Sequence, residues 1–106
     1  MVPAVELSGR AIRDLRRIGP GPERKRILTA LEALADGAPN LDVKALQGCP
    51  PWLRLRAGDY RVLYRPLPAP PGPQPSQQRL PAEGASSWWV ERVVHRRELE
   101  QAVGSL

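Results

Sequence analysis

The sequence contains no phenylalanine, and its aromatic residues are three tryptophans and two tyrosines. A core built from it must be made mainly of leucine, valine, isoleucine and alanine. Its one cysteine, Cys49, excludes an internal disulfide and any zinc or iron–sulfur site with several cysteine ligands. No metal or other cofactor is expected. No apolar run reaches the 18 residues that a membrane-spanning helix needs. The opening Met-Val-Pro-Ala-Val-Glu lacks the basic-then-apolar pattern of a signal peptide, so a cytoplasmic protein without a membrane partner is expected. At 106 residues the chain is expected to form a single domain, 1–106, with one modest core.

What the sequence has in excess is positive charge. Sixteen basic against eleven acidic residues give +5, and fourteen of the sixteen are arginine. Arginine presents a planar fork suited to bidentate phosphate contact, so a small basic domain of this kind is a candidate nucleic-acid binder. A solvated basic surface that meets an acidic protein partner fits the same composition.

Val2 to Leu7 alternates as a short edge strand, with Val5 and Leu7 inward. Ser8 follows as a helix N-cap. Ala11, Ile12, Leu15 and Ile18 then recur at helical spacing, while Arg10, Arg13, Arg16 and Arg17 take the other faces. Gly19-Pro20-Gly21 breaks this helix. Pro22 suits the first turn of a second, with Ile27, Leu28, Leu31, Leu34 and Ala35 as its apolar stripe. Gly37 and Pro39 end it.

Leu53-Arg54-Leu55-Arg56 alternates strictly, Ala57-Gly58-Asp59 turns, and Tyr60 to Arg65 returns, which is a hairpin pattern. Tyr60 and Tyr64 share the side of Val62 and are expected in the core. Trp88 to Val94 reads as a further strand, and Glu98 to Val103 as one or two helical turns. Trp88 and Trp89 must point to opposite faces, one open to burial and the other to exposure or to stacking on a base. The order predicts an α+β domain in which two N-terminal helices pack on a small twisted, mostly antiparallel sheet. Between Pro66 and Pro81 stand seven of the thirteen prolines and a single charge, Arg79. Such a stretch leans to extended polyproline geometry and is not expected to enter a sheet, so a long inserted loop is placed at about 66–87.

Three segments carry a resemblance to a known family. They are Asp42-Val43-Lys44-Ala45-Leu46-Gln47-Gly48, then Leu53 to Tyr64 with its Gly58-Asp59-Tyr60-Arg61 centre, then Val93-Val94-His95-Arg96-Arg97-Glu98. In that order they resemble the RelE/ParE superfamily of toxins from type II toxin–antitoxin modules. The likeness spans the chain apart from the proline-rich insert, which family members usually replace with a short turn. It implies a RelE-like fold and a cognate antitoxin protein as partner. For the RelE branch it implies cleavage of messenger RNA on the ribosome, and for the ParE branch poisoning of DNA gyrase. A third possibility is a non-catalytic member that binds only its antitoxin.

Metal-free RNA cleavage needs a stabilised pentavalent phosphate, and positioned guanidinium groups supply that. Arg54 and Arg56 share one face of their strand, Arg61 returns beside them, and Arg96-Arg97 ends the last strand. In the family fold these strand ends converge on one face. By position, Arg54, Arg61 and Arg97 match basic residues that RelE-type toxins use around the scissile phosphate. His95 is the one histidine, a residue type suited to proton transfer near neutral pH, and completes the expected catalytic set. Arg56, Arg96, Lys44, Arg13 and Arg17 are expected contacts to RNA, ribosome or antitoxin. RelE-type toxins often carry a tyrosine a few residues past the basic pair, where this chain has Leu99 and Glu100. For the arginines, solvated strand faces and antitoxin contacts stand beside the phosphate role.

Overall fold

The computed structural model describes residues 4–67 and 87–106. The chain runs β1 (Ala4–Leu7), α1 (Gly9–Ile18), α2 (Pro22–Ala35), β2 (Val43–Ala45), β3 (Leu53–Ala57), β4 (Tyr60–Pro66) and β5 (Ser87–His95). A 3₁₀ turn, Arg96–Glu98, and a short helix, α3 (Leu99–Gly104), complete it. The five strands form one sheet in the order β1-β5-β4-β3-β2. Every pairing is antiparallel except that of β1 with β5. No helix among the described residues is long and apolar enough to cross a membrane.

Both long helices cover one face of the sheet. Ala11 and Leu15 of α1, and Ile27, Leu31 and Leu34 of α2, are buried against Leu55, Ala57, Val62, Tyr64, Trp88, Val90 and Val93. Tyr60 packs on the rim of the same core, as the alternation along its strand requires. The buried stripes are narrower than expected. Ile12 and Leu28 remain 39% and 40% exposed. On α1 the core-facing position is taken instead by a carboxylate, Asp14, one turn from Ala11 and beside Leu15. The three-residue β2 is a further addition, too short to show a period of its own.

The Ser8 expectation holds. Its side chain accepts from Ala11 N–H at 3.0 Å and donates to the Glu91 carbonyl at 2.7 Å, so one hydroxyl caps α1 and ties it to β5. Gly58 occupies the first position of the two-residue β3–β4 turn with φ +64°, the positive value that a tight hairpin needs. A Cβ there would stand 2.9 Å from Arg26 Cδ, so α2 also closes on this turn.

The expected insert falls mostly on residues 68–86, outside the described residues. Its base is described. Pro66 pairs with Trp88, and Leu67 N–H donates to the Ser87 carbonyl at 3.1 Å. Pro66 therefore ends a strand rather than opening a loop, because a proline at a strand terminus costs the ladder little.

β1 pairs only with Ser87–Val90, after which the chain leaves the sheet at Ser8. Beyond that point the outer edge of β5 is met by α1. Asp14 Oδ2 accepts from Val93 N–H at 2.9 Å and from Arg92 Nε at 2.8 Å, while Oδ1 accepts from Arg92 Nη2 at 3.2 Å. The carboxylate thus replaces a missing strand. Removing one member of a buried, hydrogen-bonded ion pair strands the other, at about 3–5 kcal/mol. Asp14→Ala is expected to lose that much in urea unfolding, and Asp14→Leu combined with Arg92→Met to recover most of it.

Burial pushes the Tyr64 hydroxyl up to about 12. The folded state therefore favours neutral tyrosine, a contribution complete below pH 10 and lost as pH rises through 12. Two pKa units correspond to roughly 3 kcal/mol. The difference in stability between wild type and Tyr64→Phe is expected to shift by that amount across this window, read by denaturant unfolding at stepped pH.

Candidate functional site

The face of the sheet turned away from α1 and α2 is divided in two. Over β4 and β5 it is apolar: Leu63 and Val94 are buried beneath Ala102 of α3, with Leu46, Leu99, Val103 and Leu106 around them. Toward the β3–β4 turn it is cationic. Leu53, Leu55 and Ala57 face the core, so Arg54 and Arg56 must take the opposite face. The register sets Arg56 opposite Arg61 and Lys44 opposite Arg54. Two like-charged pairs directly across strands are each destabilising, so the sheet holds this arrangement at a cost.

A single carboxylate offsets part of that charge. Asp42 Oδ1 lies 3.7 Å from Arg54 Nη1, and its Oδ2 3.8 Å from Arg56 Nη1. Neither approach is a hydrogen bond. Arg54 Nη1 is buried and has no hydrogen-bond partner among the described residues. Arg61 is pinned: its Nη1 donates to the carbonyls of Gly58 at 2.9 Å and Tyr60 at 3.0 Å. Burial first, then the charges of Arg54, Arg56 and Arg96, draw its pKa below the ordinary arginine value, with Asp42 opposing. Its charge survives, because a guanidinium ordinarily titrates above pH 12. Arg54, Arg56, Arg61 and Arg96, with Asp42 near the first two, leave this end of the face positively charged.

Arg96 belongs to this cluster, and its backbone N–H is fastened to the Asp59 carbonyl at 2.8 Å. Arg97 follows it on the 3₁₀ turn with an exposed side chain. His95 does not join them. It pairs opposite Tyr60 and meets that ring edge-on at 5.4 Å, on the helix side of the sheet. Its Nδ1 accepts from Arg97 N–H at 3.2 Å and so caps the turn. A β-bulge is the reason. Tyr64 faces Val90 but Leu63 faces Arg92, so Glu91 is an extra residue and the alternation after it is reversed. His95, expected in one catalytic set with Arg54, Arg61 and Arg97, therefore lies on the opposite side of the sheet from Arg54 and Arg61.

Around His95 the structure forms a cleft of about 210 Å³ lined by Asp14, Arg17, Ile18, Tyr60, Val93 and Glu98. Arg17 thus borders the helix-side cleft, and Arg13 stands exposed on α1. Asp14 and Arg92 belong to no motif, and Asp42 opens the first family-like segment without a role assigned to it there; only the assembled fold shows what the three touch. No group of three or more histidine, cysteine or acidic residues able to hold a metal exists among the described residues.

Three solved structures share this fold. A chain of the RelB–RelE antitoxin–toxin complex from Methanococcus jannaschii is 21% identical, with a TM-score of 0.62 over 92% of this chain and 96% of that one. One from the archaeal RelE–RelB complex of Pyrococcus horikoshii is also 21% identical, with a TM-score of 0.61 over 91% and 97%. One from the RelBE2 toxin–antitoxin complex of Mycobacterium tuberculosis is 25% identical, with a TM-score of 0.53 over 91% and 100%. A search among curated proteins found no match. Residues 5–99 match the family model described as the ParE toxin of the type II toxin–antitoxin system, parDE. With nearly the whole chain matched and the fold shared, the protein belongs to the RelE/ParE family of type II toxin–antitoxin toxins.

Proposed function

We propose that this toxin cleaves messenger RNA on the ribosome without a metal. The observation that carries the reading is the guanidinium cluster, with Arg54 Nη1 buried and without a hydrogen-bond partner among the described residues and Arg61 pinned beside it. In such a reaction the ribose 2′-hydroxyl gives up its proton as its oxygen attacks the adjacent phosphorus, the bond to the 5′-oxygen breaks to leave a 2′,3′-cyclic phosphate, and the 5′-oxygen takes up a proton to become a hydroxyl. The phosphate gathers negative charge between these steps. Fixed cations that need no reorganisation stabilise it best. Arg54 and Arg61 take that role here, with Arg56, Arg96 and Lys44 on flanking phosphates. To Arg97, exposed on the turn, we assign contact with the RNA beyond them. For His95 we propose a positioning role: its capping bond holds the turn that carries Arg96 and Arg97.

The partner we propose is a cognate antitoxin whose acidic segment covers the same cationic face. Charge complementarity supports this, as does the likeness to chains solved in toxin–antitoxin complexes. A second reading, poisoning of DNA gyrase, is favoured by the ParE family model. In it the arginines become partner contacts.

Purified protein on programmed ribosomes, run beside a gyrase supercoiling assay, separates the two. Cleavage at the A-site codon is expected. Arg61→Ala is expected to slow it by roughly 10²–10³, the usual loss for one electrostatic stabiliser. Ribosome affinity should fall much less, because other phosphate contacts remain. His95→Gln is expected to cost less than about tenfold, against the 10²–10⁴ that loss of a general acid or base brings. Intact mRNA together with gyrase trapped on cleaved DNA would overturn the nuclease reading.

A further inference from the structure

The outer face of β3 continues past its arginines. Trp52 immediately precedes β3 and meets the outward Arg65 of β4, so it lies on the side of Arg54 and Arg56, in the order Trp52, Arg54, Arg56 over about 13 Å. Trp52 is half-buried, and the Arg65 guanidinium of β4 lies over its ring, 5.7 Å from the centroid. Arg65 in turn pairs across strands with Trp89, which is also half-buried. The Trp89 ring is held by its Nε1 donating to Glu91 Oε1 at 2.8 Å. The third tryptophan, Trp88, is in the core and 7% exposed. Two of the three tryptophans thus lie outside the core on either side of Arg65, and Trp52 is in line with Arg54 and Arg56.

We propose that Trp52, Arg65 and Trp89 form a stacking platform for the bases of a single-stranded nucleic acid whose phosphates lie on Arg54 and Arg56. The proposal rests on the nuclease reading for its choice of RNA as the strand. Its support is chemical. Indole rings and guanidinium planes are the surfaces on which unpaired bases stack, and they do so without regard to sequence. Successive outward residues of a strand stand about 6.6 Å apart, so Trp52 and the two arginines of β3 offer a base contact and two phosphate contacts to one extended strand. An acidic, base-free partner would use the arginines and have no use for the rings.

The test uses the full chain and three probes: a 2′-O-methyl oligoadenylate hexamer, which lacks the attacking hydroxyl, its abasic counterpart, and inorganic polyphosphate. Binding is read by tryptophan fluorescence and by titration across salt. The hexamer is expected to bind wild type roughly ten- to a hundred-fold more tightly than it binds Trp52→Leu, with Trp52→Phe retaining most of the affinity. The abasic strand should bind wild type as weakly as the hexamer binds Trp52→Leu. The salt slope should be unchanged in Trp52→Leu, whereas Arg54→Ala should lower it by about 0.7. Trp89→Ala gives an independent variant should Trp52→Leu unfold.

Equal binding of abasic and base-bearing strands would overturn the platform. So would tryptophan-dependent capture of an acidic peptide with no preference for the base-bearing strand. Base-dependent binding without ribosomal cleavage supports the platform and removes the nuclease reading. Arg61-dependent cleavage whose KM ignores both tryptophans removes the platform and leaves the nuclease.

Discussion

The bond between Asp14 and the Arg92–Val93 edge of β5 is the constraint on which the rest of the structure depends. β1 covers only half of that edge, and a parallel neighbour that stops short leaves backbone donors facing a helix. A helix cannot repair this with its own backbone, whose groups are already paired. A side-chain carboxylate can, and Asp14 is buried to do so. Its charge needs Arg92, and the two oxygens meet Nε and Nη2 in the fork geometry that makes such pairs strong. The pair sets where α1 lies. Through α1 it sets the cleft beside His95 and the cap at Ser8.

A second constraint acts within the sheet. One face is packed by α1 and α2 with aliphatic residues and needs no charge. The other carries α3 over its middle and arginines toward the β3–β4 turn. Cross-strand repulsion there lowers the stability of the free protein, and an anion would relieve it. Among the described residues Asp42 is the acid that approaches Arg54 and Arg56, and Arg54 Nη1 keeps no hydrogen-bond partner there.

Much of this was readable from local pattern. The amphipathic spacing of Ala11, Leu15 and Ile18, the cap at Ser8, and the Leu53–Tyr64 hairpin with glycine in its turn each depend on residues a few positions apart. Their geometry follows from helix and strand periods, so an α+β domain with two helices on a mostly antiparallel sheet could be expected. The common face of Arg54 and Arg56 follows from the same period of two.

What the sequence by itself determined was therefore the two long helices, the β3–β4 hairpin and the sides they turn to the core, because those are short-range properties of the backbone. Only the tertiary structure decided which elements meet. Asp14 and Arg92 are 78 residues apart, and no spacing rule joins them. Asp42 reaches Arg54 and Arg56 because β2 pairs with β3, and Arg65 finds Trp52 across the same sheet. His95 is the sharpest case. Strict alternation from Trp88 would set it among the arginines, but the extra residue Glu91 shifts the phase by one. With a period of two, a shift of one residue carries every later side chain to the opposite face.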